Sequence, residues 1–433
     1  MTGNKKLPLR MIKWPSDEAE RFVSALHRRQ SAEETRTGEE AQKRTEKVFG
    51  EALAPAEAVR RIISDVRRDG DAAIERYTRH FDGMELAASD FRIVETELED
   101  ALRTAPKELV DALTLARNNI TRYEIELIER CGEEMRLPLD GGGFVGARFV
   151  PFASAGIYVP GGSAAYPSSV LMNALPAIVA GVKRVAVFTP PEVPQSVLAA
   201  CALAGVREVY RIGGVQAIAA MAYGTESIRP VDIAAGPGNI FVSLAKKQVY
   251  GDVAVDMIAG PSEVLIIADD GADAADAAAD MLAQAEHDAA ASALLVTASA
   301  SLADAVAAEI AEQLAALPRK DIAAAALASF GAALIVDGID AACEAANAVA
   351  PEHLEIMTAE PEALLPLITR AGAVFLGRWT PEAVGDYVAG PSHTLPTGGR
   401  ARFSSGLSAL TFVRRMSVVS VSYTHLTLPT KRI

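Results

Sequence analysis

Apolar residues recur at a helical spacing through the first third of the chain and in short β-rich runs after it. Val59, Ile62, Ile63 and Val66 share one helical face between residues 54 and 80, and Gly70 divides that stretch into a helical pair. A second helical block is predicted over 97–130. From Gly143 onward, β-rich runs at 153–159, 182–189, 208–212, 231–234 and 264–268 alternate with helical segments, and a second series follows at 293–296, 333–336, 355–357 and 373–376. Strands separated by helices of this length build right-handed βαβ units and therefore parallel sheets.

The intervening stretch 272–350 is Ala-rich, yet Leu302, Val306, Ile310 and Leu314 recur every fourth residue, so it reads as helix rather than low-complexity chain. At the N-terminus, Ser16 is placed to cap a helix with Asp17 and Glu18 in its first turn and His27, Arg28 and Arg29 in its last, which suits the helix dipole at both ends. Residues 31–47 have no apolar stripe and read as a solvated helix or linker. The predicted fold class is α/β, with two Rossmann-like parallel-sheet domains of incomplete dinucleotide-binding type, a helical N-terminal arm and a short C-terminal segment. No repeat of fixed period stands out.

A length of 433 residues exceeds what one simple core accommodates, which implies two or more domains. The net charge of −14 disfavours nucleic acid and anionic membrane surfaces as partners. The three cysteines, Cys131, Cys201 and Cys343, are odd in number and widely separated, which argues against a disulfide framework and for a reducing compartment. Residues 168–182 fall short of the roughly 18 apolar residues a membrane span needs and contain Asn173 and Pro176. No apolar block of about 7–15 residues follows the N-terminus, so the expected location is the cytoplasm.

Candidate chemistry centres on Gln284 and His287, an amide oxygen and an imidazole three residues apart, which a helix presents on one face to one small object, most simply a metal ion. Four Gly-rich turns, at 159–162, 212–215, 235–239 and 259–263, mostly follow predicted strands, where small residues and backbone N–H groups let a cofactor approach. None is the G-x-G-x-x-G fingerprint. Glu352 and His353 lie side by side before a strand, and a carboxylate and an imidazole together can serve two successive proton transfers. A loop carrying Asp386 and His393 follows.

Taken together, Tyr158-Val-Pro-Gly-Gly-x-Ala-x-Tyr-Pro-Ser-Ser-Val-Leu-Met-Asn173, Gly236-Pro-Gly-Asn239, Asp256-Met-x-Ala-Gly-Pro-Ser-Glu263, Gln284-Ala-Glu-His287, Pro351-Glu-His353, Ser392-His-Thr-Leu-Pro-Thr-Gly-Gly399 and Phe403-Ser-Ser-Gly-Leu-Ser408 resemble the histidinol dehydrogenase family, in the expected order over residues 55–415. The resemblance implies oxidation of L-histidinol to L-histidine through the aldehyde with reduction of two NAD, the last step of histidine biosynthesis. It implies one zinc per subunit on Gln284, His287 and Asp386, with a further His from the partner's C-terminal segment in a homodimer. It assigns His353 to the hydroxyl proton and Glu352 to water activation on the aldehyde. Ser262 and His393 match substrate contacts, as do the zinc ligands and His353, while Tyr158, Gln216 and Asn239 match NAD contacts. The implied domain division is an arm at 1–51, a first α/β domain from 52–157 and 264–406 carrying zinc and acid/base residues, an inserted NAD domain at 158–263, and a segment at 407–433.

An aldehyde oxidation through a thiohemiacetal would need a cysteine in one of these motifs, and none has one. Beyond Val419 the family continues into an amphipathic helix and a Glu-Gly-Leu-x-x-His type motif, whereas residues 420–433 have no helical stripe, a Pro at 429 and a single His425 in unrelated surroundings. The segment reads as truncated or altered, which predicts weakened zinc and substrate binding for the chain as written. Other readings are a related zinc/NAD dehydrogenase of another small polar alcohol such as a sulfonated diol, a non-catalytic paralogue, and a metal-dependent hydrolase.

Overall fold

The computed structural model describes residues 9–35, 39–140, 142–161 and 165–421. Its strands are β1 (Arg10–Lys13), β2 (Arg92–Ile93), β3 (Met135–Pro138), β4 (Gly143–Pro151), β5 (Ser154–Tyr158), β6 (Arg184–Phe188), β7 (Glu208–Tyr210), β8 (Ile233–Ala235), β9 (Ala254–Val255), β10 (Glu263–Ala268), β11 (Ser292–Thr297), β12 (Gly331–Ile335), β13 (His353–Met357), β14 (Ala373–Leu376) and β15 (Val413–Val421). They form two six-stranded sheets, β2-β7-β6-β5-β8-β9 and β1-β12-β11-β10-β13-β14, and a three-stranded antiparallel sheet β15-β4-β3.

Both large sheets wind outwards from a central pair, β5/β8 in one and β10/β13 in the other, which is the doubly wound α/β plan with its switch point at that pair. Every pairing in them is parallel except β2 with β7. The central strands β10 and β13 are buried along their whole length, as strands covered on both faces by helices must be; β10 is a continuous apolar run after Glu263, whereas β13 buries His353 and Glu355 among its apolar residues.

The structure groups the chain differently from the expected division at three points. The helices Pro55–Asp69 and Asp71–Asp82 share a core, through Val59, Ile62, Val66 and Ile74, with Phe188 and Tyr210 of the β5–β8 sheet and Val242 of the helix Ile240–Val249, so residues 55–131 lie with that sheet, not with 264–406. β5 belongs wholly to that sheet and spans the expected boundary at 157/158. The arm contributes β1 to the other sheet, and the helix Asp17–Thr35 packs beside it through Phe22, Val23 and Leu26. β1 exposes all but one of its four residues, so its apolar signal was too short to read.

The helix Asp17–Thr35 is capped as expected: Ser16 Oγ accepts the Ala19 N–H at 3.1 Å. It continues past Arg29, and a second helix, Glu39–Phe49, covers most of the stretch expected to be solvated helix or linker. The block at 97–130 is two helices, Glu95–Thr104 and Lys107–Cys131, divided at Ala105-Pro106. The helix Pro167–Val179 runs through Asn173 and Pro176, and among the described residues no helix is long and apolar enough to cross a membrane. His425 lies outside the described residues, and β15 ends at Val421.

Candidate active site

A cavity of about 600 Å³ lies between the amino edge of the β10/β13 sheet and the carboxyl edge of the β5/β8 sheet. Ser262 immediately precedes β10, Glu352 immediately precedes β13 and His353 is its first residue. Ala350, with φ 51°, is the one non-Gly residue in the left-handed region among those described; it turns the chain out of the helix Ile339–Val349 and into Pro351-Glu352-His353. From the opposite edge come Pro160 and Gly161, after β5, and Pro237 and Gly238, after β8.

Gln284 is fully buried in the last turn of the helix Ala274–Ala285. His287 stands in the turn beyond it, its N–H donating to the Gln284 carbonyl at 3.2 Å, so the helical i, i+3 relation survives the helix end. Asp386 comes from the short helix Glu382–Tyr387. His287, Asp386 and Glu382 bring ligand atoms within 4.8 Å of one another. Glu382 is absent from the sequence-derived set, although its spacing of four from Asp386 on a helix was a legible signal. The Gln284 carboxamide takes its orientation from this neighbour: with its nitrogen towards Glu382 it donates to both carboxylate oxygens, at 2.9 and 3.0 Å, which leaves its oxygen available. Nitrogen and oxygen donors so close together suit a divalent cation such as zinc.

His353 is buried, and its Nδ1 lies 3.1 Å from the Glu263 carbonyl. A carbonyl can only accept, so Nδ1 carries the hydrogen and Nε2 keeps its lone pair. Nε2 has no hydrogen-bond partner and stands 3.8 Å from Asp386 Oδ1. Burial pushes the imidazole down to about 4, so the ring is neutral near pH 7. Glu352 Oε2 accepts the Glu263 N–H at 2.9 Å; burial first, and the neighbouring Glu263 carboxylate second, hold its carboxyl well above the usual range. Burial, with Asp386 and Glu352 nearby, raises Glu382 in the same way. Beneath them Glu355 accepts the Glu382 N–H at 2.9 Å and is pushed up to about 9 by burial and by Asp280.

His393 lines the same cavity, its Nδ1 donating to the Asp386 carbonyl at 2.9 Å and its Nε2 3.3 Å from the Ser169 hydroxyl. Tyr158, Gln216 and Asn239 do not line it; they gather behind the two Gly turns at the carboxyl edge. Tyr158 is buried, and its phenol oxygen accepts the Gly214 N–H at 3.0 Å. Gln216, two residues on, is buried with Oε1 unpartnered. Asn239 Oδ1 caps the helix Ile240–Val249 by accepting the N–H groups of Phe241 and Val242 at 3.0 and 3.2 Å. Gly236 has φ 113°, and a Cβ there would stand 2.2 Å from the Tyr158 carbonyl oxygen, so only glycine lets the turn pass this close. Buried Lys246 donates to the Gly236 carbonyl at 2.9 Å and pairs with Asp256, which accepts the Gly236 N–H at 2.8 Å.

No cysteine lines the cavity. Cys201 is buried with its thiol pushed up to about 12, Cys343 is buried, and Cys131 is exposed at the end of its helix. Two further buried groups escaped the sequence reading: Glu263, known only as the end of a Gly turn, and Arg29, known only as a helix-terminal charge.

A family model described as histidinol dehydrogenase matches residues 44–432, a range that extends past Val419, where the motif agreement stops. The histidinol dehydrogenase of Moorella thermoacetica is 50% identical over 369 residues, covering 84% of this chain and 86% of the relative. That of Geobacillus kaustophilus is 50% identical over 373 residues, covering 85% and 87%. Among solved structures, the histidinol dehydrogenase of Elizabethkingia anophelis superposes with a TM-score of 0.84 at 33% identity, covering 96% of this chain and 90% of that one.

Proposed function

Because the chain belongs to the histidinol dehydrogenase family, we propose that it oxidises L-histidinol to L-histidine through the aldehyde, with reduction of two NAD, at the end of histidine biosynthesis. The observation that carries this reading is the pairing of a neutral His353, whose free Nε2 stands beside the cavity's donor cluster, with a buried Glu352 held by the same Glu263 backbone. His353 takes the hydroxyl proton on Nε2 as the alcohol is oxidised. Glu352 takes a proton from the water that adds to the aldehyde; burial raises its carboxyl above the ordinary range, which makes its carboxylate a stronger base than an ordinary one. With no thiol in the cavity, hydration replaces a thiohemiacetal.

Gln284, His287 and Asp386 hold the zinc, with Glu382 as a further donor or as the group that aims the Gln284 oxygen. When bound, zinc orients the substrate's amine and imidazole, and NAD accepts the hydride in each oxidation. Ser262 and His393 position substrate from the cavity wall, and Tyr158, Gln216 and Asn239 shape the NAD side. The enzyme works in the cytoplasm as a homodimer.

NADH formation with histidinol, with histidinal and with a sulfonated diol, with and without added zinc, tests this. Histidinol and histidinal react in a zinc-dependent way and the diol does not. Glu352→Gln keeps the first oxidation but slows the second by about 10²- to 10⁴-fold, the usual contribution of a general base. A Glu352→Gln enzyme that oxidised histidinal at the wild-type rate would refute the role of Glu352, and oxidation of the diol in place of histidinol would refute the substrate.

A further inference from the structure

The proposed acid/base pair is held by the backbone of one residue, Glu263, through the two peptide groups on either side of its Cα. The N–H of Glu263 donates to Glu352 Oε2 at 2.9 Å, and its C=O accepts from His353 Nδ1 at 3.1 Å. That residue therefore bears on both the carboxylate's placement and the imidazole tautomer that frees Nε2. Its position is in turn set by the Glu263 side chain, which is 3% exposed and ion-paired to the guanidinium of Arg29, itself 5% exposed.

Arg29 reaches this point from the N-terminal helix Asp17–Thr35 and is immobilised on every side. Nη1 donates to the Ala290 carbonyl at 2.6 Å, Nε to the Leu26 carbonyl at 3.3 Å, and the guanidinium lies 5.1 Å from the Phe330 ring centroid. Ala290 follows the His287 turn, so the same guanidinium also ties the segment that carries a candidate zinc ligand. A buried ion pair costs much of what it gains, and well-packed apolar residues of similar volume are often as stable or more so. Stability alone gives little reason for an arginine here. A planar guanidinium with several directed donors does fix a carboxylate and its peptide more tightly than apolar packing does.

We infer that Arg29, acting through Glu263, is a positioning residue that sets the geometry of Glu352 and His353, and so makes the N-terminal helix part of the catalytic apparatus. The inference rests on the acid/base roles proposed for that pair. It implies that substrate and NAD bind normally without Arg29 while both proton transfers slow, since misplacement of an acid/base group acts on turnover more than on ground-state binding.

The test is steady-state kinetics of the full-length zinc-loaded enzyme with histidinol and separately with histidinal, on Arg29→Met, Arg29→Lys and the double variant Arg29→Met/Glu263→Gln, with Glu352→Gln as reference. The double variant leaves no unpaired buried charge and carries the test if Arg29→Met fails to fold. In Arg29→Met and the double variant, kcat falls by about 10- to 100-fold on both substrates, the range found for orienting partners, while KM for histidinol and NAD stays within about twofold. Arg29→Lys recovers part of the loss. Wild-type kcat in the double variant, or a loss confined to KM, would overturn the inference. If Glu352→Gln also oxidises histidinal normally, it is the role of Glu352 that fails; if Glu352→Gln is slow while the double variant is unimpaired, the Arg29 inference alone fails.

Discussion

At the scale of single residues, the site depends on ionisable groups held away from their ordinary protonation states. Glu355 is pushed up to about 9 by burial and its contact with Asp280, which is raised as well. Such carboxyls keep their protons in the folded protein while the unfolded chain releases them above about pH 4, so folding stability falls as pH rises between those values. His353 works in a lower window. Its imidazole is pushed from 6.5 down to about 4, so within that range the unfolded chain takes a proton the folded protein refuses, and stability falls as pH falls. Above pH 6.5 the carboxyls act alone. The metal-free protein should therefore have a lower urea midpoint at about pH 8.5 than at about pH 6.5, and Glu355→Gln should shrink that difference; a midpoint unchanged or rising over this range would contradict the protonated state of the cluster. The sequence made the ends of this network legible, because Gln284, His287, Glu352, His353, Asp386 and His393 sit in distinctive motifs. It hid the middle: Glu355, Glu263 and Arg29 owe their meaning to long-range packing that no local pattern encodes, and Glu382 showed only through its helical spacing from Asp386.

At the scale of elements, the parallel strands were legible because burial on both faces writes a continuous apolar run, as in β10 and β11. The strands that escaped are short or exposed: β1, β2, and the β15-β4-β3 sheet, where β3 is exposed throughout. The Ser16 cap is legible in the sequence, whereas the docking of the helix it starts, through Phe22, Val23, Leu26 and Arg29, depends on residues more than 200 positions away. Asn239 caps Ile240–Val249, and the NAD contact proposed for it is a second role that substitutions separate from the first. Asn239→Ala should cost about 1 kcal/mol of stability, the usual value of an N-cap, and raise KM for NAD. Asn239→Ser keeps a capping oxygen, so its melting temperature should stay near wild type while KM for NAD still rises; an unchanged KM would leave Asn239 as a cap only.

At the scale of the molecule, two sheets of the same strand order meet across one cavity and use opposite edges. The residues proposed to contact NAD lie at the carboxyl edge of β5 and β8, where doubly wound sheets usually bind ligands, whereas the proposed acid/base pair lies at the amino edge of β10 and β13. The shared strand order left no repeat in the sequence, since the connecting helices and loops differ in length and only the topology is common. One face of the antiparallel sheet exposes Met135, Leu137, Val419 and Val421, an apolar surface suited to a second copy of the chain. Light scattering should find a dimer that Leu137→Glu/Val419→Glu dissociates, and a wild-type monomer would contradict that assembly. The most direct test of the account is the stoichiometry of the complete reaction, NADH formed per histidinol consumed with zinc present, because it does not depend on how fast the enzyme turns over. A four-electron oxidation in which His353 and Glu352 act in succession predicts two NADH and one histidine per histidinol; one NADH with histidinal accumulating, or no NADH from histidinol at all, would contradict it.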